Sequence, residues 1–305
     1  MSAGAPALLA VAKRRGDRGR MDAARPEAIS PTAHYTGYVW ARNGLSDPQL
    51  ATAKGRLLYE ALRPAMLLSG ALGGPTLESY LLARHRALDV LLERAISEAG
   101  VTQVLELACG LSPRGWRFAR RYGSRLTYIE ADLPAMAALK RRTLKRMGSL
   151  GAHHFVADVD VLRAGGPGSI PGLLGRLRAE EGLAVIVEGL VGYLETEALL
   201  GMWRTLARSM SAFGAAVYLS DLQLGGGAGQ SVALFRALLS VFVGGRVALH
   251  HFHDAAEAER ALREAGFTEA SVVPAPALIS PRQARVAAGA SLAHVASARV
   301  GDRRA

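Results

Sequence analysis

Acidic residues and a glycine-containing turn stand where two apolar runs end. The first run, residues 104–107, includes Glu106 and leads into the sequence ACGLSPRG over residues 108–115. The second run ends at Glu130 and Asp132, about 20 residues after the turn. In an open parallel sheet, ligands bind beyond the carboxyl ends of the strands, and an acid that ends the second strand can bind a ribose diol. This spacing predicts a nucleotide crevice.

The glycines of the turn indicate which class of nucleotide the crevice could bind. A dinucleotide site needs the pattern G-x-G-x-x-G, so that backbone N–H groups can approach a pyrophosphate. Here only Gly110 and Gly115 occur, and Ala108 stands at the first position. A ligand that carries adenosine without phosphates fits better, which favours S-adenosylmethionine. An ordinary βαβ unit without a ligand is the alternative for this pattern taken alone.

Periodicity then predicts the elements that position these residues. Residues 50–62 and 77–96 place apolar side chains at helical intervals, which predicts a helical cap over residues 30–99. From residue 100 to 305, strands and helices alternate, which predicts an α/β domain: a doubly wound, Rossmann-like, seven-stranded and mostly parallel sheet with a late antiparallel pair. Residues 1–29, rich in Ala, Gly and Arg, are predicted to be a disordered basic arm. The predicted strands are residues 101–107, 125–130, 153–157, 183–188, 215–220, about 267–273 and 291–298, and the predicted helices are 115–122, 134–147, 195–212 and 254–265.

Composition limits the class of protein. The chain has 305 residues, of which 50% are hydrophobic, and one cysteine, Cys109, which excludes an internal disulfide and a cysteine-built metal site. No apolar run reaches the roughly 18 residues of a membrane span, and the short run over residues 5–12 precedes basic residues instead of following them. We therefore expect a soluble, cytoplasmic protein without a membrane partner.

The formal net charge of +11 raises the question of nucleic acid. The cluster KRRTLKR over residues 140–146 lies in a predicted helix, and no aromatic residues interleave it. A solvated helix face is the preferred interpretation, and no nucleic-acid partner is expected. An acidic small-molecule acceptor attracted by the overall positive field stays open. The oligomeric state is not predicted.

Four stretches together resemble one known family. They are ISPTAHYTGYVW over residues 29–40, LACGLSPRGWR over 107–117, YIEADLP over 128–134 with Lys140, and VEGLVGYL over 187–194. Jointly they resemble the leucine carboxyl methyltransferase family, which includes bacterial O-methyltransferases of natural-product pathways. The resemblance covers about residue 30 to the C-terminus. It implies a class I methyltransferase that uses S-adenosylmethionine to methylate a carboxylate or hydroxyl of a small secondary metabolite.

The resemblance also implies roles for individual residues. Arg84 would grip the methionine carboxylate, with Arg86 as a nearby competitor, because a guanidinium pairs with a carboxylate bidentately. Tyr193 and Arg117 are the candidates at the acceptor, although a packed tyrosine is an equal alternative. The remaining cofactor residues that the resemblance implies are Glu106 and Gly110 at the turn, Asp132 with Glu130 beside it at the ribose, Asp158 and Val159 at the adenine, and Glu188 at the methionine end.

Two departures from the family pattern affect these expectations. Ala108 replaces the usual glycine, which is tolerable only if residue 108 keeps an ordinary backbone conformation. Ser112 replaces a frequent aspartate, which leaves open how Arg114 and Arg117 are held. Given Ala108 and Ser112, a protein of this fold that binds the cofactor or a partner without turnover stays open as an alternative. A nicotinamide-dependent oxidoreductase could use the same crevice and is the second alternative, although the missing third glycine argues against it.

A general base is needed only if the acceptor is a hydroxyl, because a carboxylate is already ionised at neutral pH. The candidate bases are His34, His153, His154 and the sequence HHFH over residues 250–253. That last group has no companion carboxylate pattern, so we expect solvated or packing histidines and no metal site.

Overall fold

The computed structural model describes residues 31–71, 74, 76–225, 250–280 and 292–301. The strands are β1 (Val101–Leu107), β2 (Thr127–Asp132), β3 (His154–Asp158), β4 (Gly182–Val187), β5 (Ala216–Leu222), β6 (Glu269–Pro274) and β7 (His294–Arg299). The helices are α1 (Pro31–Arg42), α2 (Ala53–Ala71), α3 (Leu77–Glu98), α4 (Arg114–Tyr122), α5 (Pro134–Arg146), α6 (Ile170–Leu174), α7 (Thr196–Met210) and α8 (Ala255–Glu264).

These strands form one seven-stranded sheet in the order β3-β2-β1-β4-β5-β7-β6. Strand β7 runs antiparallel to both β5 and β6, and the other pairings are parallel. Strand β4 and nearly all of β1 are buried on both faces, as parallel strands covered by helices require. The predicted mostly parallel, seven-stranded architecture is confirmed.

The register of the central strands aligns their carboxyl ends. Leu107 of β1 pairs with Ala131 of β2 on one side and with Val187 of β4 on the other. The residues that follow these three positions therefore meet at one edge of the sheet. This alignment brings the turn over residues 108–112 next to Asp132 and Glu188.

Helix α3 packs against the sheet itself. Its Leu88 and Leu92 share one buried cluster with Val104 of β1 and Ile186 of β4. Thr76 begins the helix, because its hydroxyl accepts a hydrogen bond from the Ser79 N–H at 3.2 Å. The division into a cap over residues 30–99 and an α/β domain over residues 100–305 stays a prediction.

One predicted feature falls on a part of the chain that the structure does not describe. The basic arm predicted over residues 1–29 lies outside the described residues. Within the described ranges, no helix has both the length and the apolar character that crossing a membrane requires.

Candidate functional site

A cavity of about 440 Å³ lies at the carboxyl ends of β1, β2 and β4, and helix α1 covers it. The acids and the arginine that line it come from separate parts of the chain: Arg84 from α3, Glu106 from β1, Asp132 from β2, and Glu188 just after β4. The other lining residues are Thr32, Ala33, Thr36, Trp40, Ala108, Cys109, Gly110, Leu111, Ser112, Leu133, Ala135, Met136, Gly189, Leu190 and Tyr193.

The turn between β1 and α4 forms one wall of this cavity in a left-handed backbone conformation. Gly110 has φ of 49°, and Ala108 has φ of 51°, the one positive φ at a non-glycine position in the described ranges. Residue 108 therefore does not keep the ordinary backbone conformation in which an alanine would replace glycine without cost. A left-handed conformation costs an L-residue about 1–2 kcal/mol, because Cβ crowds the carbonyl oxygen.

Asp132 ends β2 at the cavity wall and is held by backbone groups. Its Oδ2 accepts a hydrogen bond from the Gly110 N–H at 2.7 Å, and its Oδ1 accepts one from the Leu133 N–H at 2.8 Å. Burial raises the pKa of this carboxyl, and the two N–H groups offset the rise only in part. Each oxygen keeps a further lone pair, so the carboxylate can still accept hydrogen bonds from a ligand.

Glu188 lies on the opposite wall and is held by cations. Its Oε1 accepts from Arg84 Nε at 3.2 Å, and its Oε2 accepts from Arg114 Nη2 at 2.7 Å and lies 2.8 Å from His85 Nδ1. Burial alone would raise the pKa of Glu188, but His85 and the two arginines outweigh burial and lower it. Glu188 is therefore an ionised partner in a buried network.

Arg114 is the centre of this network, and no role was assigned to it from the sequence. Its side chain has no exposed surface, and it donates to Asp89 Oδ1, Glu106 Oε1 and Glu188 Oε2, each at 2.7 Å. The signal in the sequence was its position directly after the glycine turn, as the first residue of α4. Arg114 therefore fixes three carboxylates, two of which line the cavity.

Asp221 is a second residue that the sequence analysis missed. Its Oδ2 accepts from Arg84 Nη1 at 3.0 Å, and its Oδ1 accepts from the Gly189 N–H at 2.7 Å. The available signal was an acid near the end of a buried strand, β5. Arg84 is thus held between Asp221 and Glu188 while it faces the cavity.

Arg117 lies behind the cavity instead of lining it. It forms an ion pair with Asp89, and its Nη2 lies 3.2 Å from His85 Nε2. His85 Nδ1 lies between Glu188 Oε2 at 2.8 Å and Arg114 Nη2 at 3.0 Å, and a neutral ring can donate to Glu188 from Nδ1 while Nε2 accepts from Arg117. Burial lowers the pKa of His85, in agreement with a neutral ring. The position of Arg117 gives no support to a direct contact with an acceptor.

Three other predicted site residues do not line the cavity in the described structure. Glu130 is buried beneath the turn, where it pairs with Lys140 and His154. Asp158 is half exposed at the end of β3 and pairs with Arg141 at 2.8 Å, and Val159 beside it is buried. The register of β2 and β3 nevertheless places Asp158 directly beside Asp132. The interpretation of residues 140–146 as a solvated face is wrong for Lys140, whose side chain is fully buried.

The acceptor candidate Tyr193 lines the cavity near α1. Its hydroxyl donates a hydrogen bond to Thr32 Oγ1 at 2.8 Å, and burial raises its pKa. At neutral pH this hydroxyl is therefore protonated. Tyr193 can donate a hydrogen bond in the cavity or hold α1 over it, but it is unsuited to act as a base.

The histidines considered as bases have other partners or positions. His34 Nδ1 lies 2.9 Å from Thr52 Oγ1, His154 bonds Glu130, and His153 is exposed. His251 lies 2.9 Å from Thr196 Oγ1 and 3.0 Å from the Val191 carbonyl oxygen. Within the described part of the chain, no three His, Cys, Asp or Glu side chains are grouped so that they could hold a metal ion.

The sheet order, the helical layers and the cavity at the carboxyl edge define the class I methyltransferase fold. A crystal structure of a DUF574 family protein from Streptomyces avermitilis covers 90% of this chain and 98% of its own, with a TM-score of 0.62 and 16% identity. A "putative methyltransferase" from Thermobifida fusca covers 87% of this chain and 94% of its own, with a TM-score of 0.56 and 15% identity. At such identities these likenesses show the fold alone.

Comparisons at the level of sequence indicate a family. The model of the leucine carboxyl methyltransferase family matches residues 60–207, which confirms the resemblance seen in the motifs. A Frankia alni protein named "Putative S-adenosyl-L-methionine-dependent methyltransferase" is 35% identical over 130 residues, which are 42% of this chain and 44% of that protein. A Parafrankia protein with the same description is 29% identical over 236 residues, 66% of this chain and 71% of its own. The chain thus spans less than half of the Frankia relative, and its residues 60–207 are similar to this methyltransferase family.

Proposed function

We propose that the protein is an S-adenosylmethionine-dependent methyltransferase whose cofactor binds in the cavity at the carboxyl ends of β1, β2 and β4. The observation that carries the proposal is the convergence of Arg84, Asp132 and Glu188 on this one cavity. The names and the family of the related proteins support the same activity.

The donor set fits this cofactor. Asp132 has lone pairs for a ribose diol, and the turn at Gly110 offers close approach of backbone to the cofactor. Arg84 carries a guanidinium for the methionine carboxylate, and Glu188 and Glu106 carry negative charge for the methionine amine. Asp158 and Val159 follow Asp132 along the same sheet edge, which is where an adenine attached to that ribose would extend.

We further propose that the acceptor is a carboxylate or hydroxyl of a small molecule, which makes the enzyme an O-methyltransferase. The cofactor supplies a methyl group already activated on a sulfonium. The protein then has to align the acceptor oxygen and exclude water, which proximity and orientation can provide. Helix α1 covers the cavity, and the bond from Tyr193 to Thr32 links this helix to the segment after β4.

The state of Tyr193 favours a carboxylate over a hydroxyl within this proposal. Its raised pKa keeps it protonated, and His34 and His154 are bound to other groups. A carboxylate, with an ordinary pKa near 4, needs no base at neutral pH. A hydroxyl acceptor would need one.

The first experiment is a calorimetric titration of the purified protein with S-adenosylmethionine, S-adenosylhomocysteine and NAD. We expect binding of the first two and none of NAD. Binding of NAD alone, or of none of the three, would refute the proposed cofactor.

A second experiment tests the acceptor class. The protein is incubated with methyl-labelled S-adenosylmethionine and matched carboxylic acids and phenols of the same carbon skeleton. A label that mild base releases as methanol identifies an ester, and a base-stable label identifies an ether. Label on nitrogen or carbon acceptors only would contradict O-methylation.

A further inference from the structure

A buried polar trio lies directly beneath the turn over residues 108–112. Glu130, Lys140 and His154 have side-chain exposures of 0%, 0% and 5%. Glu130 pairs with Lys140, and its Oε1 lies 2.7 Å from His154 Nε2. His154 Nδ1 lies 2.9 Å from the Ser149 carbonyl oxygen. These side chains are outside the cavity wall, so the cofactor site as described makes no use of them.

Lys140 connects this trio to the turn. Its Nζ donates to the Ser112 carbonyl oxygen at 2.6 Å and lies 3.4 Å from the Gly110 carbonyl oxygen. The Glu130 carboxylate is the ion-pair partner of the same ammonium group. A buried side chain of helix α5 therefore donates hydrogen bonds to two carbonyl groups of the turn.

The backbone N–H of Gly110 also has a hydrogen-bond partner, Asp132. The Gly110 N–H donates to Asp132 at 2.7 Å, while the Gly110 carbonyl faces Lys140. Both partners belong to the β2 and α5 segment, which follows the turn in sequence. Gly110 is thus hydrogen-bonded to Asp132 through its N–H and to Lys140 through its carbonyl oxygen. Gly110 and Ser112 both line the cavity.

Charge explains how a lysine can be kept in this position. Burial lowers the pKa of the Lys140 ammonium, but Glu130 outweighs burial and raises it. Burial raises the pKa of Glu130, and Lys140 and His154 outweigh burial and lower it. Both groups therefore stay charged. Replacing a buried ion pair by uncharged side chains of similar volume is often neutral for stability, so the fold by itself gives little reason to keep one here.

We propose that Lys140 is a positioning residue for cofactor binding: oriented by Glu130 and His154, it holds the carbonyl groups of Gly110 and Ser112 so that the turn has the shape that the cofactor requires. This inference rests on the proposed function, because its main readout is affinity for S-adenosylmethionine.

The test uses two variants and one control. Lys140→Met removes the donors but leaves Glu130 without its lysine partner. Lys140→Met with Glu130→Gln removes the charge of both partners, and Glu130→Gln keeps an oxygen for His154. Lys145→Met is the matched control, since it removes the same charge from an exposed position of the same helix.

We expect the double variant to unfold at a urea midpoint close to that of the unmodified protein. Its dissociation constants for S-adenosylmethionine and S-adenosylhomocysteine should rise by about tenfold or more, the loss expected for hydrogen bonds from a charged donor. The KM for S-adenosylmethionine should rise while kcat at saturation is retained. Amide hydrogen exchange at residues 110–112 should become faster, and Lys145→Met should change none of these quantities.

Three results would overturn the inference. A double variant that binds as tightly as the unmodified protein would show that the turn does not need Lys140. Unchanged amide exchange over residues 110–112 would show that the lysine does not hold the turn. An unfolded double variant would show that the ion pair serves the fold itself. Failure of the unmodified protein to bind S-adenosylmethionine would instead refute the proposed function.

Discussion

Asp132 and Glu188 face the same cavity from opposite walls, and the two carboxylates are held in different ways. Glu188 receives hydrogen bonds from two arginines and contacts His85, and its pKa is lowered. Asp132 receives hydrogen bonds from two backbone N–H groups, and its pKa is raised. In the sequence both are acids near the end of an apolar strand. The contrast shows that the charge of Glu188 is balanced largely by cationic side chains of the protein, whereas Asp132 is held by neutral backbone groups.

The physical reason is the cost of burying charge. An ionised carboxylate in a low-dielectric site is stabilised when hydrogen-bonded cations surround it, and it is costly when they do not. The charge on Glu188 is offset within the protein. The charge on Asp132 is offset only in part, so a ligand that donates hydrogen bonds from hydroxyl groups would stabilise the ionised carboxylate.

The largest expected effect on stability comes from removing Arg114, the centre of the buried network that holds Glu188. Arg114→Met leaves Asp89, Glu106 and Glu188 without their shared partner, so the free energy of unfolding should fall by about 3–5 kcal/mol. Urea unfolding followed by circular dichroism measures it, with the exposed Arg120→Met on the same helix as control. A loss no larger than that of the control would mean that the network around Arg114 does not stabilise the fold. That result would contradict the contrast drawn between Glu188 and Asp132.

The next effect concerns affinity instead of stability. Asp132→Ala should weaken S-adenosylmethionine binding by about 1.5–3 kcal/mol, because charge-assisted hydrogen bonds to the cofactor are lost. The free energy of unfolding should change far less than in Arg114→Met. Calorimetry and urea unfolding of the same samples test both statements. Unchanged cofactor affinity would remove Asp132 from the site.

The pH dependence of stability should have opposite signs for the two acids. Glu188 has a folded-state pKa below its ordinary value of about 4.5, so its stabilisation is present above that pH and is lost as the pH falls through the lower, folded-state pKa. Asp132 has a folded-state pKa above 3.8, so its ionisation reduces stability as the pH rises past that value.

Urea unfolding between pH 3 and pH 6 checks these signs. Relative to the unmodified protein, Glu188→Gln should show a shallower loss of stability toward acid, and Asp132→Asn a steeper gain toward neutral pH. Parallel pH profiles of the two variants would contradict the contrast between the walls.

The smallest effect comes from the turn that lies between the two acids. Ala108→Gly should relieve about 1–2 kcal/mol of left-handed strain, offset by about 0.5–1 kcal/mol of extra chain entropy in the unfolded state. The net gain in unfolding free energy should therefore lie between about 0 and 1.5 kcal/mol, and the urea midpoint measures it. A clear loss of stability would show that the alanine methyl group makes a compensating contact.

Local pattern was sufficient for the architecture and for the position of the site. The aliphatic runs of β1 and β4 and the glycine turn before α4 are properties of short segments, and short segments determine periodicity and backbone preference. The strand-end acid Asp132 could be placed at the cavity for the same reason. The resemblance carried by the motifs added Arg84, Glu188 and Tyr193, which also line the cavity.

Only the tertiary structure decided which charges are matched. Arg84 meets Asp221 across 137 positions of sequence, Arg114 meets Glu188 across 74, and Lys140 meets Ser112 across 28. The sequence determined which ionisable groups the chain carries and which strands they end. Their pKa values and roles depend on partners that only the folded sheet brings within hydrogen-bond distance, because electrostatic energy depends on separation in space and on burial instead of on separation along the chain.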